Sequence, residues 1–146
     1  FFTRKINGRL DLAADTRELT VIQPDNPPIT VSSAELVGHT SGQTLEISRL
    51  KISQGAVDFA ATGTVSLDAQ HRLAGKLSSQ TNDLDGVMEF IEPIFALNEQ
   101  DRTTITNLVT LTGGDPATKT TKADFVAKDG ALYWGLIKLA DLAPLY

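Results

Sequence analysis

From Val57 to Leu67 the chain alternates without a break: Val57, Phe59, Ala61, Gly63, Val65 and Leu67 on one parity, with Asp58, Ala60, Thr62, Thr64 and Ser66 between them. Successive side chains of an extended backbone point to opposite faces, so this period of two predicts a strand with one apolar and one polar face. Such a face has to be covered. Asp68-Ala69-Gln70-His71 then turns the chain, and Leu73, Gly75 and Leu77 resume the period and close a hairpin.

Similar signals recur on both sides of this hairpin. Between Lys5 and Ala14, Ile6, Leu10 and Leu12 alternate, with Asn7-Gly8 as a bulge or bend, and Leu19 and Val21 resume after Asp15-Thr16. Two strands with a turn between them are predicted there. The segment Gln23 to Pro28 carries three prolines, which lack the N–H a ladder needs, and is predicted as a surface loop outside the sheet. Ile29 to Val37 and Leu45 to Ile52 read as strands around the turn cluster His39 to Gln43. Near the C-terminus, Phe125 and Ala127 lead into Lys128-Asp129-Gly130, a tight-turn sequence. Leu132, Trp134 and Leu136 then interleave with Tyr133, Ile137 and Leu139 along the outgoing strand.

Between the hairpins the period lengthens. Leu84, Val87, Met88, Ile91, Ile94 and Phe95 recur at three and four residues, which predicts an amphipathic helix over Asp83 to Leu97, capped by Asn82 or Asp83 and kinked or restarted at Pro93. A second helix is predicted from Glu99 to about Leu111. Ile105, Leu108 and Val109 form its stripe, Asp101 suits its start, and Gly113-Gly114 suits a left-handed exit into a connector reaching Thr121. Strands, then two helices, then strands, with no helix between successive strands, predict an α+β fold. In it an antiparallel sheet of hairpin-linked strands carries both helices on one face.

The chain has 146 residues, 41% of them apolar and 21% charged, which is enough for one domain (1–146) with its own core. Cysteine is absent, removing thiol catalysis, zinc-thiolate sites and iron-sulfur clusters, and leaving the redox compartment open. Thirteen basic against eighteen acidic residues give a net charge of −5, which argues against nucleic acid or an anionic membrane as partner. No apolar stretch approaches the roughly 20 residues that span a bilayer. The first residues are Phe1-Phe2 rather than Met, from which an upstream segment, such as an anchor, is expected.

Little in the residues points to bond-making chemistry. His39 and His71 stand in predicted turns without a metal-ligand spacing, Ser32-Ser33 and Ser78-Ser79 lack a nucleophile-elbow motif, and Gly113 to Thr120 lacks the phosphate-loop register. Six acidic residues between Asp83 and Asp101 read as a solvated face. An amphipathic helix meant for anionic lipid would show the opposite charge, so this one faces protein or an apolar ligand. Its stripe, widened by Phe90 and Leu97, reads as core. The second possibility is an apolar groove against the sheet, formed by Val57, Phe59, Val65 and Leu67 with Val87, Ile91, Ile94 and Phe95, where an acyl chain could sit. No catalytic residue, cofactor or metal is expected.

The element Ala61-Thr62-Gly63-Thr64-Val65-Ser66-Leu67-Asp68 through Leu73-Ala74-Gly75-Lys76-Leu77 resembles the Gly-x-x-x-Leu-Asp…Leu-x-Gly-x-Leu hairpin of AsmA-like envelope proteins. The tail from Asp129 to Leu139, closing on Pro144-Leu145-Tyr146, resembles the end of an alphaproteobacterial family, number 2125 of the domains of unknown function. Ala143 stands where that family has the first of two prolines. The resemblance implies the C-terminal part of a longer, membrane-tethered, non-enzymatic protein on the periplasmic face of the inner membrane. It also implies a role in holding or transferring lipid. The partners it implies are lipid or another envelope protein, and an unpaired sheet edge would favour a homodimer.

Overall fold

A computed structural model describes residues 2–6, 9–23, 26–115 and 120–146. Along them run β1 (Phe2–Ile6), β2 (Arg9–Gln23), β3 (Asn26–Ser41), β4 (Thr44–Gln54), β5 (Val57–Leu67), β6 (Leu73–Thr81), α1 (Leu84–Phe95), α2 (Glu99–Gly113), β7 (Gly114–Asp115), β8 (Thr120–Lys128), β9 (Ala131–Trp134) and β10 (Ile137–Asp141). The strands form one antiparallel meander in the order β1-β2-β3-β4-β5-β6-β8-β9-β10, and the two-residue β7 pairs with the start of β8. The fold is therefore α+β, an open antiparallel sheet whose two helices enter between β6 and β8.

Where the local signal is strong, the elements follow it. The alternating segment is β5, from Val57 to Leu67. Asp83 caps α1 by accepting from Gly86 N, and Ala96 ends the helix in the left-handed region with φ 50°. Asn98 and Asp101 form a reciprocal capping box at the start of α2, so two helix-end N–H groups are satisfied within four residues.

Elsewhere pairing overrides the local reading. Asp15-Thr16 is no turn: it lies in the middle of the 15-residue β2, with Asp15 opposite Glu35 and Thr16 opposite Ala34. A ladder supplied by β3 carries polar residues through where neither face is deeply buried. The Asn7-Gly8 bend falls outside the described residues. Pro27 and Pro28, predicted outside the sheet, lie at the start of β3, directly after Asn26. There the register shifts so that the two prolines face the single residue Ile22, which spares the ladder their missing N–H groups. His39 and Thr40 belong to β3 rather than to a turn, and Gly42-Gln43 alone reverses the chain, Gly42 with φ 62°.

Two further corrections lie towards the C-terminus. Gly114 leaves α2 in extended conformation, not left-handed, because the chain passes straight into β7 and pairs with β8. The need for glycine lies at Gly113 instead, where a Cβ would overlap the Lys122 carbonyl. The outgoing strand predicted from Leu132 to Leu139 is two strands, β9 and β10, reversed at Gly135-Leu136 with Gly135 at φ 60°. This turns Ile137 back opposite Trp134.

The register aligns one apolar face across the sheet. Ile52, Phe59 and Thr81 lie side by side, then Leu50, Ala61, Ser79 and Ala123, then Ile47, Gly63, Leu77 and Phe125. The helices cover the C-terminal part of this face, and Val87, Met88, Ile91, Ile105, Val109, Trp134 and Leu139 form the buried core. Arg102 of α2 reaches Glu92 at 2.9 Å and Asp85 at 3.7 Å, bridging the acidic side of α1 to its neighbour. Leu36, Leu45 and Val65 are half-buried and stand outside that core.

Candidate functional site

The start of α1 is tied to β5 by hydrogen bonds. Asn82 Oδ1 accepts from Asp58 N at 2.8 Å, Asn82 N donates to Asp58 O at 3.3 Å, and Asn82 Nδ2 donates to Ala56 O at 3.1 Å. Thr81 Oγ1 donates to the same Asp58 carbonyl at 3.0 Å. These contacts hold one end of α1 over the sheet and leave a cavity of about 150 Å³ between them. Its walls are Ile52 and Gln54 of β4, Val57 and Phe59 of β5, Gly86, Val87, Phe90 and Ile91 of α1, and Phe125 of β8.

Among the described residues this wall carries no charged side chain, and Gln54 is its one polar side chain. The Gln54 Oε1 accepts from Ser32 N at 3.0 Å. Phe125 extends the apolar surface inward, edge-on to Phe59 at 6.0 Å and stacked on Trp134 at 5.4 Å with an interplanar angle of 7°. At about 150 Å³ a dry apolar cavity accommodates a group the size of a benzene ring.

Of the eight residues predicted for a groove, Val57, Phe59, Val87 and Ile91 come together on this wall. Phe95 packs against the core, and Ile94 is half-buried on α1. Val65 and Leu67 lie at the far end of β5, lining a separate hollow with Leu45 and Leu73. Ile52, Gln54 and Phe125 come from strands adjacent to or beyond β5, and only the sheet register brings them in. No local pattern around them marks a site. Phe90 was legible as part of the wide helical stripe, whereas Gly86 shows its part only through its closeness to Val57.

The other candidate groups are dispersed. His39 Nε2 meets Glu46 Oε2 at 3.0 Å, while the His71 ring stacks on Tyr146 at 4.4 Å. Ser53 Oγ donates to Asp58 Oδ1 at 2.7 Å, far in sequence from either histidine. Among the described residues no three His, Asp or Glu side chains gather as a metal-ligand set.

The Gly-x-x-x-Leu-Asp hairpin proves to be a structural joint. Asp68 accepts from Arg72 N, Arg72 Nε and Gln70 N, while the Arg72 guanidinium lies over Gly130, where a Cβ would overlap it. The Arg72 backbone N–H in particular holds the Asp68 carboxyl below its ordinary value of 3.8, and a hydrogen bond from Lys76 does the same for Asp124. A depressed carboxyl favours folding above its unfolded value and loses that effect as pH falls through the folded value. The melting midpoint is therefore expected to fall as the buffer is taken below about 3.8, and Asp68→Asn should flatten that fall. Identical acid profiles for the wild type and the variant would show that Asp68 takes no part.

Fold and cavity together define an α+β domain in which an open antiparallel sheet carries a helical hairpin over part of one face. The chain belongs to the bacterial family DUF2125, described as an uncharacterized protein conserved in bacteria, whose model matches residues 4–143. No curated protein and no solved structure matches it.

Proposed function

We propose that this domain is a non-enzymatic binding module of the bacterial envelope that holds the apolar end of a lipid between α1 and the sheet. The observation that carries the reading is the cavity bounded by Val57, Phe59, Val87, Phe90, Ile91 and Phe125, with no charged group on its wall. Transfer of apolar surface from water into such a site is favourable at roughly 25 cal/mol per Å² buried, and no side chain there needs a charged partner. The AsmA-like resemblance of the β5–β6 hairpin supports placement on the periplasmic face of the inner membrane, through an upstream anchor. Alphaproteobacteria are the source that the C-terminal tail suggests.

Protein purified from its native cells, examined by native mass spectrometry and solvent extraction, is expected to carry an acyl-chain lipid. Filling the cavity with Val87→Trp should remove it. An empty wild-type protein that also fails to take up added lipid refutes the reading.

A second reading is favoured by one observation: β1 and β10 close the pairing order at its two ends, and among the described residues each has a single strand neighbour. Open edges pair with further strands, so the domain would bind another envelope protein or a second copy of itself. A mass by light scattering above that of one chain, lowered by a proline placed in β10, would favour this reading over lipid holding.

A further inference from the structure

We infer that Gly86 sets what the cavity admits, holding α1 so close to β5 that only an unbranched aliphatic chain enters, end first. The inference rests on the ligand reading above and adds its selectivity. Glycine is a poor helix former, yet Gly86 sits in the first turn of α1. Its neighbour supplies the reason. A Cβ at this position would overlap Val57 Cγ2 and stand 3.1 Å from Asp83 Oδ2.

Gly86 and Val57 both belong to the cavity wall, so the helix and strand meet on the wall itself. The approach is held in place on both sides. Asp83 Oδ1 accepts from Gly86 N at 3.1 Å, and Asn82 is bonded to both the N–H and the carbonyl of Asp58, the residue after Val57. Sliding α1 outward to make room would break these bonds. A methyl group added at Gly86 is therefore accommodated inward, by Val57 swinging into the space a ligand would fill.

The volume sets the length of chain taken. About 150 Å³ holds about six carbons. Phe59, Phe90 and Phe125 bound it with flat rings, and with no charge on the wall a carboxylate or headgroup stays outside. A slim chain end meets these conditions, whereas a branched or cage-shaped group is stopped where Gly86 and Val57 meet.

The test uses decanoate and adamantane-1-carboxylate, which share a carboxylate and differ in width. Binding is read by calorimetry and by the emission of Trp134, the only tryptophan, which stacks on the wall residue Phe125. Wild-type protein should bind decanoate at least tenfold more tightly than adamantane-1-carboxylate. Gly86→Ala should weaken decanoate at least tenfold while near-ultraviolet circular dichroism stays native. Val57→Ala should narrow the preference, and the double variant Gly86→Ala/Val57→Ala should regain decanoate binding.

If Gly86→Ala binds decanoate as the wild type does, the role of Gly86 is overturned and the ligand reading stands. If wild-type protein binds neither compound, both are overturned. Should Gly86→Ala fail to fold, Val57→Leu crowds the same gap from the strand side, and unchanged decanoate affinity in that variant equally overturns the inference.

Discussion

Replacing Trp134 by alanine is expected to cost about 3–5 kcal/mol of folding stability, the range for emptying a large aromatic site in a packed core. Trp134 is 1% exposed, sits at the end of β9 within the cluster formed by Met88, Ile105 and Val109, and stacks on Phe125. It therefore joins α1, α2 and the sheet in a single packing unit. Against a typical total of about 5–15 kcal/mol, that loss leaves a marginal fold. Urea unfolding followed by circular dichroism would measure it.

Trp134→Phe should be far milder, for a reason visible in the core. The indole Nε1 is buried and, among the described residues, has no hydrogen-bond partner. A buried donor without a partner costs about 1–3 kcal/mol, so the phenyl variant sheds a penalty while losing packing volume, and the two effects offset to within about 2 kcal/mol. Equal destabilisation by both variants would mean that the N–H is satisfied in solution.

The second large effect is expected at Gly75. Gly75 and Gly63 flank the directly opposed pair Thr64 and Lys76 in the β5–β6 ladder, with φ of 135° and 151°. A Cβ at Gly75 would overlap the Thr64 carbonyl oxygen, and one at Gly63 would overlap that of Lys76. The obstacle is backbone in the middle of the sheet, which cannot rotate away. Gly75→Ala should therefore cost about 3 kcal/mol or more, combining an unfavourable dihedral with strand separation.

Gly42 supplies the control. It also has a positive φ, 62°, but nothing stands within 4 Å of a Cβ there, so Gly42→Ala should cost only the dihedral penalty of about 1–2 kcal/mol. Denaturation midpoints of the two variants decide the matter: if Gly75→Ala is no worse than Gly42→Ala, the close approach of β5 and β6 is not what requires glycine. Hydrogen exchange should show the accompanying loss of protection at Thr64 and Lys76.

These two positions also mark what could be read beforehand. Gly63 and Gly75 stand out in the sequence as gaps in an otherwise apolar alternation, and the hairpin they belong to was legible from Val57 to Leu77. Their physical role was not, because a collision with a carbonyl across the ladder depends on a strand that local sequence does not contain. Arg102 is similar. The run from Asp83 to Asp101 reads as an uncompensated acidic face, yet Arg102, from the next helix, lies beside Glu92 and Asp85 once the helical hairpin closes. The four cavity residues anticipated on β5 and α1 belong to two strongly periodic elements. The strand partners Ile52, Gln54 and Phe125 are set by register alone.

By itself the sequence determined the periods, a cap and the tight turns: the two-residue alternation of β5, the apolar stripe of α1 with its cap at Asn82 or Asp83, the acidic start of α2 at Asp101, and the turn at Asp129-Gly130. Each depends on atoms within a few residues of one another. Only the tertiary structure decided that β2 runs unbroken past Asp15, that β9 and β10 reverse at Gly135, and how much of the apolar face the helices cover. It also decided the gap between Gly86 and Val57. The reason is that a local pattern shows which side of an element is apolar, while the distance between two elements follows from the side chains and hydrogen bonds of both.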